Sequence, residues 1–455
     1  MKKLFKERTV HFVVVAFLIG MFAGVNISFS ATAAEPPHRY LDYFHKVYQI
    51  IKTDYVDVPG TKDLFYGAIR GMIASLDDPF SRFLDEKAFN ELKEETTGEF
   101  VGVGIEISVK DGQIVVISPI DGTPAMKAGI QAGDTIIKVN GTEIKDKDLS
   151  DIVKLIRGKP ATEVTLSIKR EGYDELLDIE IERAPIKIET VKHDVIQDTS
   201  TGYLKVSLFS ENTPNDVREA LKDFKKKNIN KLIVDLRWNP GGLLDGAISI
   251  SDMFLDKGKE IVSTRGRKGT GSIRQYDSEN DPLYNGKMIV VVNRGSASAS
   301  EIFSGAMRDN NRSKLLGEKT FGKGSVQKFF NLNENVGVSL TIAKYYTPSG
   351  ISIHGKGIEP DYKVESDVIS SDEQKQINIL MKKKLLDKFT ASHKTYNETT
   401  RNEFYEFVKK HDIKLSNKTA DYVLKNELSG LSKRPVYDLE FDRQLREAVK
   451  VLNES

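Results

Sequence analysis

A chain of 455 residues is longer than one hydrophobic core usually serves, so two or three domains are expected. Apolar residues make up 39% and charged residues 29%, the balance of an ordinary globular protein, and a net charge of +1 gives no basic field for nucleic acid. Cysteine is absent, which excludes thiol nucleophiles, disulfides and thiolate zinc sites. The seven histidines are too scattered for an H-E-x-x-H motif, so neither a metal nor a cofactor is expected.

The chain opens on MKKLFKER, followed by an uncharged run whose most apolar part is Phe12 to Val25. That length suits the apolar region of a signal peptide and is short for a full span, and Ala31-Thr32-Ala33 offers a cleavage site. Export is expected, to the periplasm or another extracytoplasmic space, with residues 1–34 either cleaved or kept as an anchor in the cytoplasmic membrane. Residues 35–92 have helical periodicity: Tyr40, Phe44, Val47, Ile51 and Tyr55 share one face, and Leu64, Ala68, Met72 and Leu76 share another. The segment DDPFSRFL ends this region, because proline resists the helix interior.

Residues 93–185 change to short strands. FVGVGIEI and GQIVVISPI read as a strand pair, GTPAMKAGI as a short helix, and Asn140-Gly141 as a hairpin turn. LSDIVKLIRGK reads as a helix, and the two runs after it alternate with period two. Residues 186–365 form a larger α/β unit. NKLIVDLRW and KMIVVVN are continuous apolar strands of the kind buried on both faces, and each leads through a glycine-rich turn into a helix. TRGRKGTGSIRQYDSENDP reads as a polar surface loop, and residues 366–455 as four charged helices, the first spanning ISSDEQKQINILMKKKLLDKF.

The chemistry gathers after the second apolar strand. A helix starting near Ser298 places that serine at a strand-to-helix corner, beside amides of the first helical turn that stabilise developing negative charge. The same Gly, Ser and Ala residues also suit close helix–sheet packing with one serine as a cap. A nucleophilic serine needs a base. Lys323, between Gly322 and Gly324, serves if burial lowers its proton affinity, with Phe321 and Val326 as the apolar surroundings; alone it also reads as a surface lysine. There is no G-x-S-x-G elbow, and the one S-x-x-K, Ser325 to Lys328, runs through a strand that points the two side chains to opposite faces.

These residues resemble the signature of the C-terminal processing proteases, the tail-specific Ser-Lys peptidases of family S41. G-S-A-S-A-S-E stands at Gly295 to Glu301 and G-x-x-T-F-G-K-G-x-x-Q at Gly317 to Gln327. The resemblance implies Ser298 as nucleophile, Lys323 as general base and Gln327 as its polar support, and oxyanion amides from Ala299 and from Gly241 or Gly242 in LRWNPGG. Asp309 enters only as an accessory candidate. The run from Val101 through Gly102, Val103, Gly104 and Ile105, with GTPAMKAGIQAGDTIIKVNG after it, resembles a PDZ domain, which binds free C-termini by strand addition. Val103 or Ile105 would line its pocket, and Arg157 resembles an arginine that couples tail binding to the protease. The implied architecture is an α/β protease core of crotonase-like ββα units, with an inserted PDZ domain and helical N- and C-terminal segments. The expected partners are proteins or peptides with free C-termini, a second copy of the chain bound through the helical termini, and an activating or adaptor protein. The competing expectation is a catalytically inactive, exported PDZ scaffold.

Overall fold

The structure is a computed structural model that describes residues 37–454, apart from Asp111, Asp121, Ala132, Asp146, Glu171, Asp198, 268–272, Val368 and 430–435. The leader-like segment, its cleavage site and its anchoring role lie outside the described residues. No helix among the described residues is long and apolar enough to cross a membrane. The chain divides after Ser75 into two compact units.

The first unit carries helices α1 (Pro37–Asp54) and α2 (Thr61–Ala74). Phe65 of α2 meets Phe44 and Tyr48 of α1 at ring separations of 6.0 and 5.2 Å. Much of the remaining apolar surface, including Leu41, Val47, Ile50 and Met72, is exposed.

The second unit begins with DDPFSRFL, which closes a turn rather than only ending a helix. Asp78 accepts hydrogen bonds from the Phe80 amide and the Ser81 hydroxyl. The chain then enters β1 (Arg82–Leu84) and α3 (Glu86–Thr97), capped by Asp85 at one end and by left-handed Gly98 at the other. FVGVGIEI does not form one strand. Glu99–Gly102 is β2 and pairs with β9 (Ala184–Lys187), while β3 (Ile105–Lys110) pairs with β4 (Gln113–Pro119). Gly104, at φ +79°, makes the break, and a Cβ there would run into Thr123. Strands β3, β4, β5 (Thr135–Val139), β6 (Thr142–Glu143), β7 (Glu163–Lys169) and β8 (Leu177–Glu182) form an antiparallel sheet, with α4 (Pro124–Lys127) and α5 (Leu149–Ile156) beside it. Its core includes Val103, Ile136, Ile152, Val164 and Leu166.

The largest core belongs to a six-stranded sheet with β10 (Val191–Val195) at one edge, then β11 (Thr201–Val206), β12 (Lys231–Asp235), β15 (Lys287–Val292), β16 (Lys314–Gly317) and β19 (Tyr362–Lys363). All neighbours run parallel except β10 with β11. As the continuous apolar runs imply, Leu232 to Val234 and Ile289 to Val292 are buried. Helices α6 (Thr213–Lys226), α7 (Leu244–Asp252) and α8 (Ala299–Asp309) contribute to the core on one side of this sheet. The apolar stripe Leu445, Ala448 and Leu452 of α13 (Arg443–Glu454) packs with Ile233, Ile289 and Val291 in a separate cluster.

Two expectations are corrected here. TRGRKGTGSIRQYDSENDP is not a plain loop: its first residues close β13 (Glu260–Gly266), and its middle forms β14 (Ile273–Asp277), antiparallel to it. With β1, β17 (Ser325–Asn331) and β18 (Gly337–Tyr346) they build a second sheet. The polar side chains of β14 are mostly exposed, which a hydropathy reading passes over, while β13 buries Ile261 to Thr264. The first C-terminal helix is also two, α9 (Ser371–Lys382) and α10 (Leu385–Ser392), broken where Lys384 takes a left-handed φ of +53°. With α11 (Glu398–Lys410) and α12 (Asn417–Leu428) they enclose their own core around Leu386, Phe389, Phe404 and Leu424.

Candidate active site

Both glycine-rich corners leave the C-terminal ends of neighbouring parallel strands, β12 and β15, which is why the sheet brings them together. The corners are laced by buried side chains. Asn293, after β15, accepts through Oδ1 from the amides of Trp238 and Gly295, both at 2.9 Å. Ser296 donates its hydroxyl to the Leu236 carbonyl at 2.8 Å. Asn239, fully buried, donates Nδ2 to the Val206 carbonyl, and its own carbonyl accepts from the Ala297 amide and the Ser300 hydroxyl, both at 3.0 Å.

Ser298 stands at the corner itself, one residue before α8 begins. Its backbone has φ +53° and ψ −112°, a conformation non-glycine residues rarely take, and the residue is 7% exposed. Gly241 packs against it: a Cβ there would lie 2.7 Å from the Ala297 carbonyl oxygen, 2.8 Å from Ser298 Cβ and 2.9 Å from the Ala299 nitrogen. The Gly241 amide donates to Asn239 Oδ1 at 2.9 Å. The amides of Ala299 and Gly242 have no acceptor among the described residues.

Lys323 arrives on the loop between β16 and β17. The Phe321 amide donates to the Ser296 carbonyl at 3.0 Å and ties this loop to the serine corner. The glycines on either side of Lys323 allow close approach to residues 353–357: the Gly355 amide donates to the Gly322 carbonyl at 2.8 Å, and a Cβ on Gly324 would collide with the His354 nitrogen. Phe321, expected as an apolar neighbour of the amine, is 61% exposed. The ring of Phe80, from the turn before β1, has its centre 5.3 Å from Lys323 Nζ. Gln327 donates Nε2 to Ser325 Oγ at 2.9 Å and Thr341 Oγ1 at 3.1 Å.

Between these parts sits a carboxylate, Glu301, fully buried in the first turn of α8. Its Oε2 accepts from the Ser298 amide at 3.0 Å and the Lys323 amide at 2.8 Å, and its Oε1 accepts from the Gly322 amide at 2.7 Å and the Thr320 hydroxyl. Burial pushes the Glu301 carboxyl above its usual range, against the pull of those four bonds.

The remaining expected residues lie elsewhere. Asp309 is at the far end of α8, about 15 Å along its axis, where it accepts from Ser349 and from the Arg308 guanidinium. Val101 and Gly102 lie in β2, Gly104 at the break, and Ile105 at the start of β3; Val103 turns into the β3–β8 core, and Ile105 is partly buried against it. Arg157, at the C-terminal end of α5, pairs with Glu94 of α3 at 2.6 Å and lies 4.6 Å from the Phe100 ring. Glu301 and Phe80 escaped the sequence reading, and Asn239 entered it only as part of the LRWNPGG turn. For Glu301 a signal was present, since Ser298-x-x-Glu301 has the spacing of a helix capping box.

A serine at a strand-to-helix corner, beside amides with no acceptor among the described residues, is an arrangement suited to the acyl transfer of serine hydrolases. Residues 200–364 match the model of peptidase family S41, residues 115–170 match a PDZ domain, and residues 24–88 match the N-terminal domain of the activating protease CtpB. A carboxy-terminal-processing protease of Bartonella bacilliformis is 43% identical over 362 residues, 77% of this chain and 82% of that one. Carboxy-terminal processing protease CtpA of Bacillus subtilis is 38% identical over 353 residues, 77% of this chain and 75% of that one. A solved photosystem II D1 C-terminal processing protease is 31% identical, covering 71% of this chain and 86% of that one, with a TM-score of 0.42. The chain belongs to peptidase family S41, the C-terminal processing proteases. It is a serine-type peptidase that acts on proteins at or near their C-termini.

Proposed function

We propose that Ser298 and Lys323 form the catalytic dyad of an exported endopeptidase that captures protein tails on its PDZ domain before cleaving them. The observation that carries this reading is that the Ser298 and Lys323 backbones meet on one carboxylate oxygen, beside two amides with no acceptor among the described residues. Neutral Lys323 takes the Ser298 proton as the hydroxyl attacks the peptide carbonyl. The oxyanion rests on the Ala299 and Gly242 amides; Gly242 is preferred to Gly241 because the Gly241 amide is already spent on Asn239. Lys323 then protonates the leaving amine, and water releases the acyl enzyme. Gln327, the third residue of β17, supports Lys323. The substrate adds as a strand to β17, whose one partner strand among the described residues is β18.

The division follows from this reading: a leader over 1–34, a helical region over 35–92, a PDZ domain over 93–185, a core of ββα units over 186–365 and a helical region over 366–455. Tail capture by Val101 to Ile105 and coupling through Arg157 are part of it, as is work outside the cytoplasmic membrane. The test compares the wild-type chain with Ser298→Ala and Lys323→Ala on an unfolded reporter protein ending in an apolar tail. Cleavage by the wild type alone is expected. Equal cleavage by all three overturns the dyad, and tail binding without cleavage by the wild type marks a scaffold.

A further inference from the structure

Resting on the dyad reading, we infer that Glu301 is a positioning residue: one buried carboxylate holds the nucleophile's corner and the base's loop in register.

The bond pattern makes the case. An ionised carboxylate only accepts, and its two oxygens offer about four lone-pair sites. All four sites on Glu301 are filled by donors, two from the base's loop on Oε1, and one from each side of the dyad on Oε2. The Thr320 hydroxyl is itself oriented, because it accepts the Ile358 amide at 2.7 Å and so turns its proton toward Glu301. No neutral side chain of the same shape replaces this. Glutamine would aim its NH2 at two donors, and at least one side of the clamp would open.

Each of the tied segments needs holding. Ser298 is in a strained backbone conformation, of the kind that persists only where neighbours over-determine it. The bond from its amide to Glu301 is one of those restraints. Lys323 follows Gly322, whose φ of +94° leaves the loop with little preference of its own. The negative charge that the clamp places near the base is offset by the amides it binds and by the N-terminal end of α8, in whose first turn Glu301 lies.

The experiment uses the full chain. Glu301→Gln is expected to lower kcat by about 10²-fold, with KM within about twofold of wild type, because a displacement near 1 Å at the reacting atoms costs on that order. Labelling of Ser298 by a fluorophosphonate should slow in parallel, while binding of an apolar-tailed peptide, read by fluorescence anisotropy, stays at the wild-type level and reports the folded fraction. Thr320→Val, which removes a single donor, is expected to lose about tenfold in kcat on the same scale, and it decides the question alone if Glu301→Gln does not fold. Ser298→Ala runs alongside. If it is inactive while Glu301→Gln, or a folded Thr320→Val standing in for it, keeps wild-type kcat, the clamp is wrong and the dyad stands. If Ser298→Ala cleaves normally, the dyad itself fails. A Glu301→Gln enzyme that changes KM but not kcat also overturns the clamp.

Discussion

Gly241→Ala tests the corner geometry without touching a reactive group. The new Cβ would lie 2.7 Å from the Ala297 carbonyl oxygen, 2.8 Å from Ser298 Cβ and 2.9 Å from the Ala299 nitrogen. Carbon atoms in good contact sit about 3.5–4.0 Å apart, so the turn and the serine corner must separate by more than about 0.5 Å. The backbone adds to this, because φ is +107°, where an L-residue is strained by about 1–3 kcal/mol. The displaced parts are the ones that aim the Ser298 hydroxyl and the Ala299 and Gly242 amides. Loss of one oxyanion donor costs about 10²–10³ in kcat, and that is the expected fall. The assay is steady-state cleavage of an unfolded reporter with an apolar tail, with kcat and KM separated and melting recorded for each protein. Gly246→Ala is the control: it makes the same substitution inside α7, where the nearest atoms to the new Cβ stand at 3.6 Å. It should leave kcat unchanged and add up to about 1 kcal/mol of stability through helix propensity. A Gly241→Ala enzyme within about threefold of wild-type kcat would refute the close-approach argument.

Asp235→Ala should destabilise the core by about 3–5 kcal/mol; a urea-midpoint shift equivalent to under about 1 kcal/mol would contradict this. Burial works to raise the Asp235 carboxyl, yet Arg237 holds it below its usual range, and without Asp235 the Arg237 guanidinium keeps, among the described residues, only Asp442 and Gln444. In the C-terminal helices, hydrogen bonds from the Ser416 hydroxyl and amide push the Glu373 carboxyl down to about 2. A depressed carboxyl contributes stability above its unfolded value, near 4.5, and loses it as pH falls toward 2. The melting temperature of Glu373→Gln should therefore fall less steeply over that window than that of the wild type, and parallel curves would count against the assignment.

What could be read from the residues, and what could not, divides along one physical line. Strands β12 and β15 announce themselves because burial on both faces demands unbroken apolar runs, and the corners after them because close approach demands glycine. Ser298 and Lys323 are legible through the motif around them. The partner of each is not, because partners come from distant sequence: Phe80 reaches Lys323 from more than two hundred residues upstream, by way of a turn that hydropathy marks only as a helix end. The strands β13 and β14 fail for a different reason. Strand β13 buries Ile261 to Thr264, but β14 exposes most of its side chains, Arg274 and Gln275 among them, so its pairing rests on backbone bonds that no apolar pattern encodes. Glu301 lies between the two cases. Its spacing from Ser298 marks a capping box, and a capping glutamate is ordinarily a surface feature that stabilises one helix end. Only the fold reveals that the loop carrying Lys323 covers that end. The cover turns a local cap into a buried charge with four donors, and it gives the sequence a reason to keep a carboxylate where burial alone would disfavour one.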